Sequence, residues 1–296
     1  MKDNIVRKPL IRQGWLRVLV FIISFILLSA IALFALLKFV LKQTIDFSNS
    51  SSSVEGNSYL FVIVLFVISI LLTFIFRRWI DRKSFLSLGL DIHDRFHDAI
   101  AGFGLSVFVI GISSLFLQFN GYLKWADIIY DPKNLFLSLG AIILIAFYEE
   151  LIFRGYILNN LMQSMSKWLA LGISSLLFMI LESFGPHAGF FSGMNTLVLG
   201  LILGLNYIYT RNLLFSVFFH TGWLFVQGPL LGFNLNTNFP ALLQTELNGN
   251  ENISGGVNGL QGSLILLVVS LLSLAVLYYF LQNKLRKLSL QVPDRI

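Results

Sequence analysis

Long apolar stretches, broken by short charged or Gly/Ser/Asn-rich segments, make up most of this chain. A helix needs about 20 apolar residues to cross the hydrocarbon core of a bilayer. Stretches of that kind lie at 15–41, 59–76, 99–119, 135–155, 168–183, 194–209, 213–233 and 262–281, the fifth and sixth being short. The pattern predicts an all-α, polytopic membrane protein with about eight transmembrane helices. The first stretch follows a basic leader but runs on past Ser29-Ala30-Ile31-Ala32, so it reads as an uncleaved anchor and not as a signal peptide.

Charge then orients these stretches. Lys2, Arg7, Lys8, Arg12 and Arg17 precede the first, and Arg77, Arg78, Arg82, Lys83 and Arg95 follow the second. Lys167, Arg211, Lys284, Arg286 and Lys287 fall on the same side, whereas 184–193 and 234–261 contain no Lys or Arg. Eight spans with both termini cytoplasmic satisfy the positive-inside rule at every loop, which predicts a multi-pass protein of the cell membrane. Segments 120–134 and 234–261, and the shorter Ser48–Ser53 stretch, become extracytoplasmic loops. The expected organisation is an N-terminal hairpin with a cytoplasmic segment over 1–98 and a core over 99–235. A loop and final helix would occupy 236–296.

Composition agrees with this picture. Hydrophobic residues are 56% of the chain and charged residues only 12%, against about 25% charged in a soluble domain. The net charge of +6 sits beside apolar spans, so it sets orientation and does not mark a nucleic-acid partner. The lipid bilayer is the expected environment. With no cysteine there is neither a disulfide nor a thiol nucleophile.

Against this background a few polar residues stand out. The fourth apolar stretch ends Phe147-Tyr148-Glu149-Glu150-Leu151-Ile152-Phe153-Arg154-Gly155. An ionised group near the bilayer centre costs at least about 2.5–3.5 kcal/mol and marks function by default. Glu150 and Arg154 are four apart, share a helix face and can pair. Glu149 points about 100° away and lacks that partner, which leaves it free for proton transfer or for a metal. A Glu–Arg pair joining helices, with Glu149 at the water boundary, is the plainer alternative. Glu182 closes the fifth stretch, one turn after Phe178 and before the helix-breaking Gly185-Pro186. Counting from the span boundaries places Glu149 toward the cytoplasmic half and Glu182 toward the far end. His220 is the histidine in the middle of a span. His93 and His97 lie in a basic segment, and His187 follows Glu182. Asn195 and Asn206 read as interhelical hydrogen-bonders, and Gly200 with Gly204 as a close helix contact. Glutamates and a histidine brought together in a membrane can activate water, by general base or through a divalent metal such as zinc held by Glu149, Glu182 and His220.

The run Glu149-Glu150-Leu151-Ile152-Phe153-Arg154 resembles the Glu-Glu-x-x-x-Arg signature of the CAAX protease and bacteriocin-processing family of intramembrane endopeptidases. Phe184-Gly185-Pro186, Asn195, the Gly200/Gly204 pair and the segment from His220 to Gly232 fall where its lysostaphin-resistance-like branch places them. The resemblance covers about 85–235. It implies that Glu149 activates water beside Glu150, that Arg154 orders the pair, and that His220 contacts the water or the developing oxyanion. Two positions depart from the family pattern. Glu182 stands where a histidine is usual, and Leu224 where an asparagine is usual. The expected substrate is a membrane-associated peptide or protein. A catalytically reduced member acting in bacteriocin immunity or binding is the alternative. A proton-coupled transporter is a third reading, disfavoured by the lack of internal repeats.

Overall fold

A computed structural model describes residues 8–40, 58–91, 93, 95–182, 189–233 and 239–291. His187, the Gly185-Pro186 break and the Ser48–Ser53 loop lie outside the described residues. Eight long helices occupy the eight apolar stretches: α1 Gly14–Ala35, α2 Ser58–Ile75, α3 Phe96–Phe119, α4 Pro132–Glu150, α5 Lys167–Glu182, α6 Phe190–Thr210, α7 Leu214–Phe225 and α8 Leu264–Gln291. The chain is therefore an all-α, polytopic membrane protein. Six of its helical segments, rather than eight, are long and apolar enough to cross a membrane among the described residues: Gly14–Phe39, Tyr59–Ile80, Phe96–Phe119, Pro132–Leu161, Phe190–Thr210 and Gly256–Lys284. Of α5, 16 residues are described, and α7 has 12 before a wider turn, Val226–Leu230, that contains Pro229. Most of α7 is buried against its neighbours, so other helices rather than lipid satisfy its surface.

Several helices end in turns of π type, at Leu36–Val40, Phe76–Ile80, Leu151–Leu158 and Val226–Leu230. The third is the longest and begins immediately after Glu150. Such turns shift the angular register of the side chains that follow and recur at functional sites. Helix α4 starts on a side-chain cap, with the Asn134 backbone N–H donating to Asp131 Oδ1 at 3.1 Å and Pro132 in the first turn.

Close packing follows the small residues. Gly200 of α6 lies over Ser175 of α5, where an added Cβ would sit 3.0 Å from the serine Cβ, and Gly204 faces Leu171 one turn on. The expected close contact of the Gly-x-x-x-Gly is thus between α6 and α5. Gly102 of α3 lies against the Phe215 carbonyl of α7, and Gly222 of α7 against Ser106 of α3. Asn195 joins helices, donating to the Gln261 and Ser263 carbonyls at 2.8 and 3.0 Å. Asn206 instead accepts from Thr210 Oγ1 of its own helix at 3.1 Å.

One feature was absent from the hydrophobic pattern. Segments 120–134 and 234–261, expected as loops, pair as antiparallel strands β1 (Leu123–Ile128) and β2 (Leu243–Leu247), with Leu123 opposite Leu247 and Lys124 opposite Glu246. The two loops that the charge pattern places on one side of the membrane are thereby joined into a cap over that end of the bundle.

Candidate functional site

The polar centre is assembled by α4, its π extension, α5, α6 and α7. Glu149 and Glu150 close the regular part of α4, and Arg154 sits one turn later. All three are buried, as is His220 of α7. Arg154 Nη1 donates to Glu150 Oε1 at 2.7 Å, so the i, i+4 pair expected from spacing forms. Its other terminal nitrogen, Nη2, donates to the Gly200 carbonyl at 3.3 Å. The absence of a side chain at Gly200 leaves that carbonyl reachable.

His220 bridges the two glutamates. Its Nδ1 lies 3.1 Å from Glu150 Oε1, and its Nε2 lies 3.5 Å from Glu149 Oε2. A carboxylate oxygen accepts from an imidazole N–H, so the ring is held with Nδ1 toward Glu150 and Nε2 toward Glu149. Glu149 Oε2 and Glu150 Oε2 are both buried and accept no hydrogen bond. One oxygen of each glutamate is thus left without a hydrogen bond.

Phe178, fully buried on α5, holds this arrangement from the side. The Arg154 guanidinium lies 4.4 Å from its ring centroid, a cation–π distance. The same ring meets His220 edge-on at 5.8 Å and Phe153 at 5.0 Å. Ser174 Oγ donates to the Phe153 carbonyl at 3.2 Å, fixing α5 against the π turn.

Glu182 is the last described residue of α5 and is exposed. It is near enough for its charge to act on Glu149 and for His220 and Arg154 to act on it. Among the described residues it makes no side-chain hydrogen bond or ion pair. The separation in depth that span counting gave Glu149 and Glu182 shrinks in the structure, because α4 and its extension run on to Leu161 rather than ending near 155. Glu149 is then about 18 Å from that end and Glu182 about 22 Å from the start of α5, at 1.5 Å per residue. Leu224 follows His220 by one turn and packs with Tyr148 against Val62, Ala141 and Ile145, an apolar contact where an asparagine was expected.

A zinc ion in a catalytic site takes three protein ligands. Among the described residues no group of three His, Asp or Glu side chains is placed to hold a metal. The donor set Glu149, Glu182 and His220 does not fit a resident ion.

Sequence spacing missed Phe178 as a support for Arg154, and it missed Gly200 as an acceptor. The Phe178-x-x-x-Glu182 spacing drew attention to Glu182, whereas in the structure it is the phenylalanine that touches the arginine and the histidine.

No curated protein and no solved structure matches the chain. Residues 131–226 match the family model "Type II CAAX prenyl endopeptidase Rce1-like". The matched segment runs from the cap of α4 to the end of α7 and contains Glu149, Glu150, Arg154, Glu182 and His220. The match spans about a third of the chain, and over that third the chain is similar to the CAAX prenyl endopeptidases.

Proposed function

We propose that this protein is an intramembrane endopeptidase that hydrolyses a peptide bond of a membrane-associated peptide or protein, with Glu149 as the general base. The observation that supports this reading most is the 3.5 Å gap between Glu149 Oε2 and His220 Nε2, two buried proton-exchanging atoms facing one another. In this reading a water enters beside Glu149, which takes one of its protons. The resulting hydroxide oxygen adds to the scissile carbonyl carbon, and the carbonyl π electrons move onto oxygen. Collapse of the tetrahedral adduct breaks the C–N bond, and the proton held by Glu149 passes to the leaving amine. Arg154 neutralises Glu150, Glu150 orients the imidazole through Nδ1, and His220 holds the water or faces the oxyanion. Glu182 lies at the rim of the site. Segment 99–235 forms the protease core, and the chain sits in the cell membrane with both termini cytoplasmic.

Removing a general base costs about 100- to 10,000-fold in rate. Purified protein in bilayer nanodiscs, incubated with a library of membrane-anchored peptides, should yield cleavage products by mass spectrometry. The Glu149→Gln variant should yield less by at least about 100-fold; equal cleavage by both proteins would remove Glu149 from the reaction.

A second reading is a binding or bacteriocin-immunity protein of the same family with lowered catalysis. It is favoured by Leu224, which offers no donor to an oxyanion, where loss of one donor costs about 100- to 1000-fold. An immunity phenotype that survives Glu149→Ala would select it, and loss of the phenotype would reject it.

A further inference from the structure

On the lipid-facing side of the bundle, away from the glutamates, α5, α6 and α8 enclose an apolar groove of about 300 Å³. Trp168 and Leu171 of α5, Leu201 and Leu205 of α6, and Ala275 and Tyr278 of α8 line it. The groove has a polar end. Lys167 lies there, its ammonium 5.0 Å from the Trp168 ring centroid and 5.3 Å from that of Tyr209. The Trp168 and Tyr278 rings meet edge-on at 6.0 Å, closing the space between α5 and α8. Gln282 of α8 donates to Tyr209 Oη of α6 at 2.7 Å and to Tyr278 Oη of its own helix at 3.1 Å, tying α8 to α6 at the same level.

This is the order of groups in a phospholipid: hydrocarbon first, then an interfacial layer, then charge. Leucines line the depth, and tryptophan and tyrosines sit at headgroup level, where such rings are enriched. The three helix ends beside them carry Lys167, Arg211 and Lys284. The connecting stretches 161–167, 210–214 and 280–291 contain no acidic residue. The N-terminus of α5, whose Leu169 backbone N–H donates to Ser166 Oγ at 3.3 Å, adds the positive end of a helix dipole. We infer that this groove is a binding site for an anionic phospholipid, one acyl chain lying along Leu201 and Leu205 and the phosphate held at Lys167.

Native mass spectrometry of the full chain, released from bilayers of nine parts phosphatidylcholine to one part phosphatidylglycerol, tests this directly. A cation at the membrane surface favours an anionic headgroup by about fivefold, so the retained lipid should be enriched in phosphatidylglycerol by at least that factor over the bilayer. Lys167→Glu, at an exposed position, should abolish the enrichment while Lys167→Arg keeps it. Ala275→Trp, which fills the groove, should lower the count of retained lipid by one. Retention in bilayer proportion by the parent protein would overturn the inference. So would an enrichment that persists unchanged in both Lys167→Glu and Ala275→Trp, because the lipid would then be bound elsewhere.

Discussion

Two clusters of charge are buried in this bundle, and they are built in opposite ways. Around Asp81 one carboxylate meets two guanidiniums: Arg17 Nη1 donates to Oδ1 and Arg77 Nη1 to Oδ2, each at 2.9 Å. Asn160 Nδ2 also donates to Oδ2 at 3.3 Å, and the Tyr156 hydroxyl reaches Oδ1 at 3.5 Å. Two further donors are taken up, Arg17 Nη2 on Gln163 Oε1 and Arg77 Nη2 on Ser87 Oγ at 3.1 and 2.7 Å, while Arg17 Nε is buried without an acceptor. Both Asp81 oxygens are satisfied, and the positive excess is felt nearby. Burial first, and then the charges of Arg77 and Arg17, hold the Lys83 ammonium below its ordinary pKa against an opposing pull from Asp81. Around Glu149 the balance is reversed, because two carboxylates share one guanidinium, one imidazole and the Tyr148 hydroxyl, and an oxygen of each accepts nothing. A carboxylate with both oxygens saturated holds helices together and keeps no acceptor to spare. An undersupplied one keeps capacity for a proton, a water or a substrate group. The first joins α1, the end of α2 and the end of the α4 extension. The second lies in the segment that matches the protease family.

This contrast orders the effects of substitution. Asp81→Ala should do the greatest damage, since it leaves two buried guanidiniums without a counterion. Breaking a buried pair costs about 3–5 kcal/mol, read as a large fall in the unfolding midpoint of the detergent-solubilised protein. Unchanged stability would mean that the cluster is not a structural clamp. Glu149→Gln should separate the two regions most cleanly, losing at least about 100-fold in cleavage with little change in unfolding midpoint. A drop in stability like that of Asp81→Ala would make both clusters structural.

Glu150→Gln belongs between these extremes. It weakens the charge-assisted bond to Arg154, of the class worth about 1.5–3 kcal/mol, and it loosens the hold on the histidine ring. Both stability and cleavage should fall, and a change in only one would show that pairing and orientation are separable. Phe178→Leu gives the smallest effect, about 1 kcal/mol from the lost cation–π contact with Arg154. Its signature is a modest fall in unfolding midpoint that disappears when Arg154 is also replaced, in a double-mutant cycle.

The difference between the clusters also explains what could be read from residues alone. The Glu150–Arg154 pair was legible because i, i+4 spacing sets it within one helix. Its partner His220 lies 70 positions away and was suspected only from its place in an apolar span and from family resemblance. Arg17 and Arg77 were read as charges that set orientation at the membrane surface. They are instead buried on Asp81, and no local spacing could reveal that, because Arg17 meets Asp81 across 64 positions. Glu182 shows the reverse limit: its spacing from Phe178 drew the eye to the glutamate, whereas the contact with Arg154 and His220 is made by the Phe178 ring.

What the sequence determined by itself was set by local physics. Runs of apolar residues had to become helices, since a bilayer leaves the backbone no other way to satisfy its polar groups, and two adjacent glutamates with an arginine one turn away had to form one pair and leave one acid over. Only the tertiary structure decided which helices are long enough to span, that two loops pair as strands, and that His220 turns its Nε2 toward Glu149. It also chose which buried charges are saturated and which are not. Those outcomes depend on contacts between residues far apart in the chain, where shape and hydrogen-bond geometry decide and periodicity is silent.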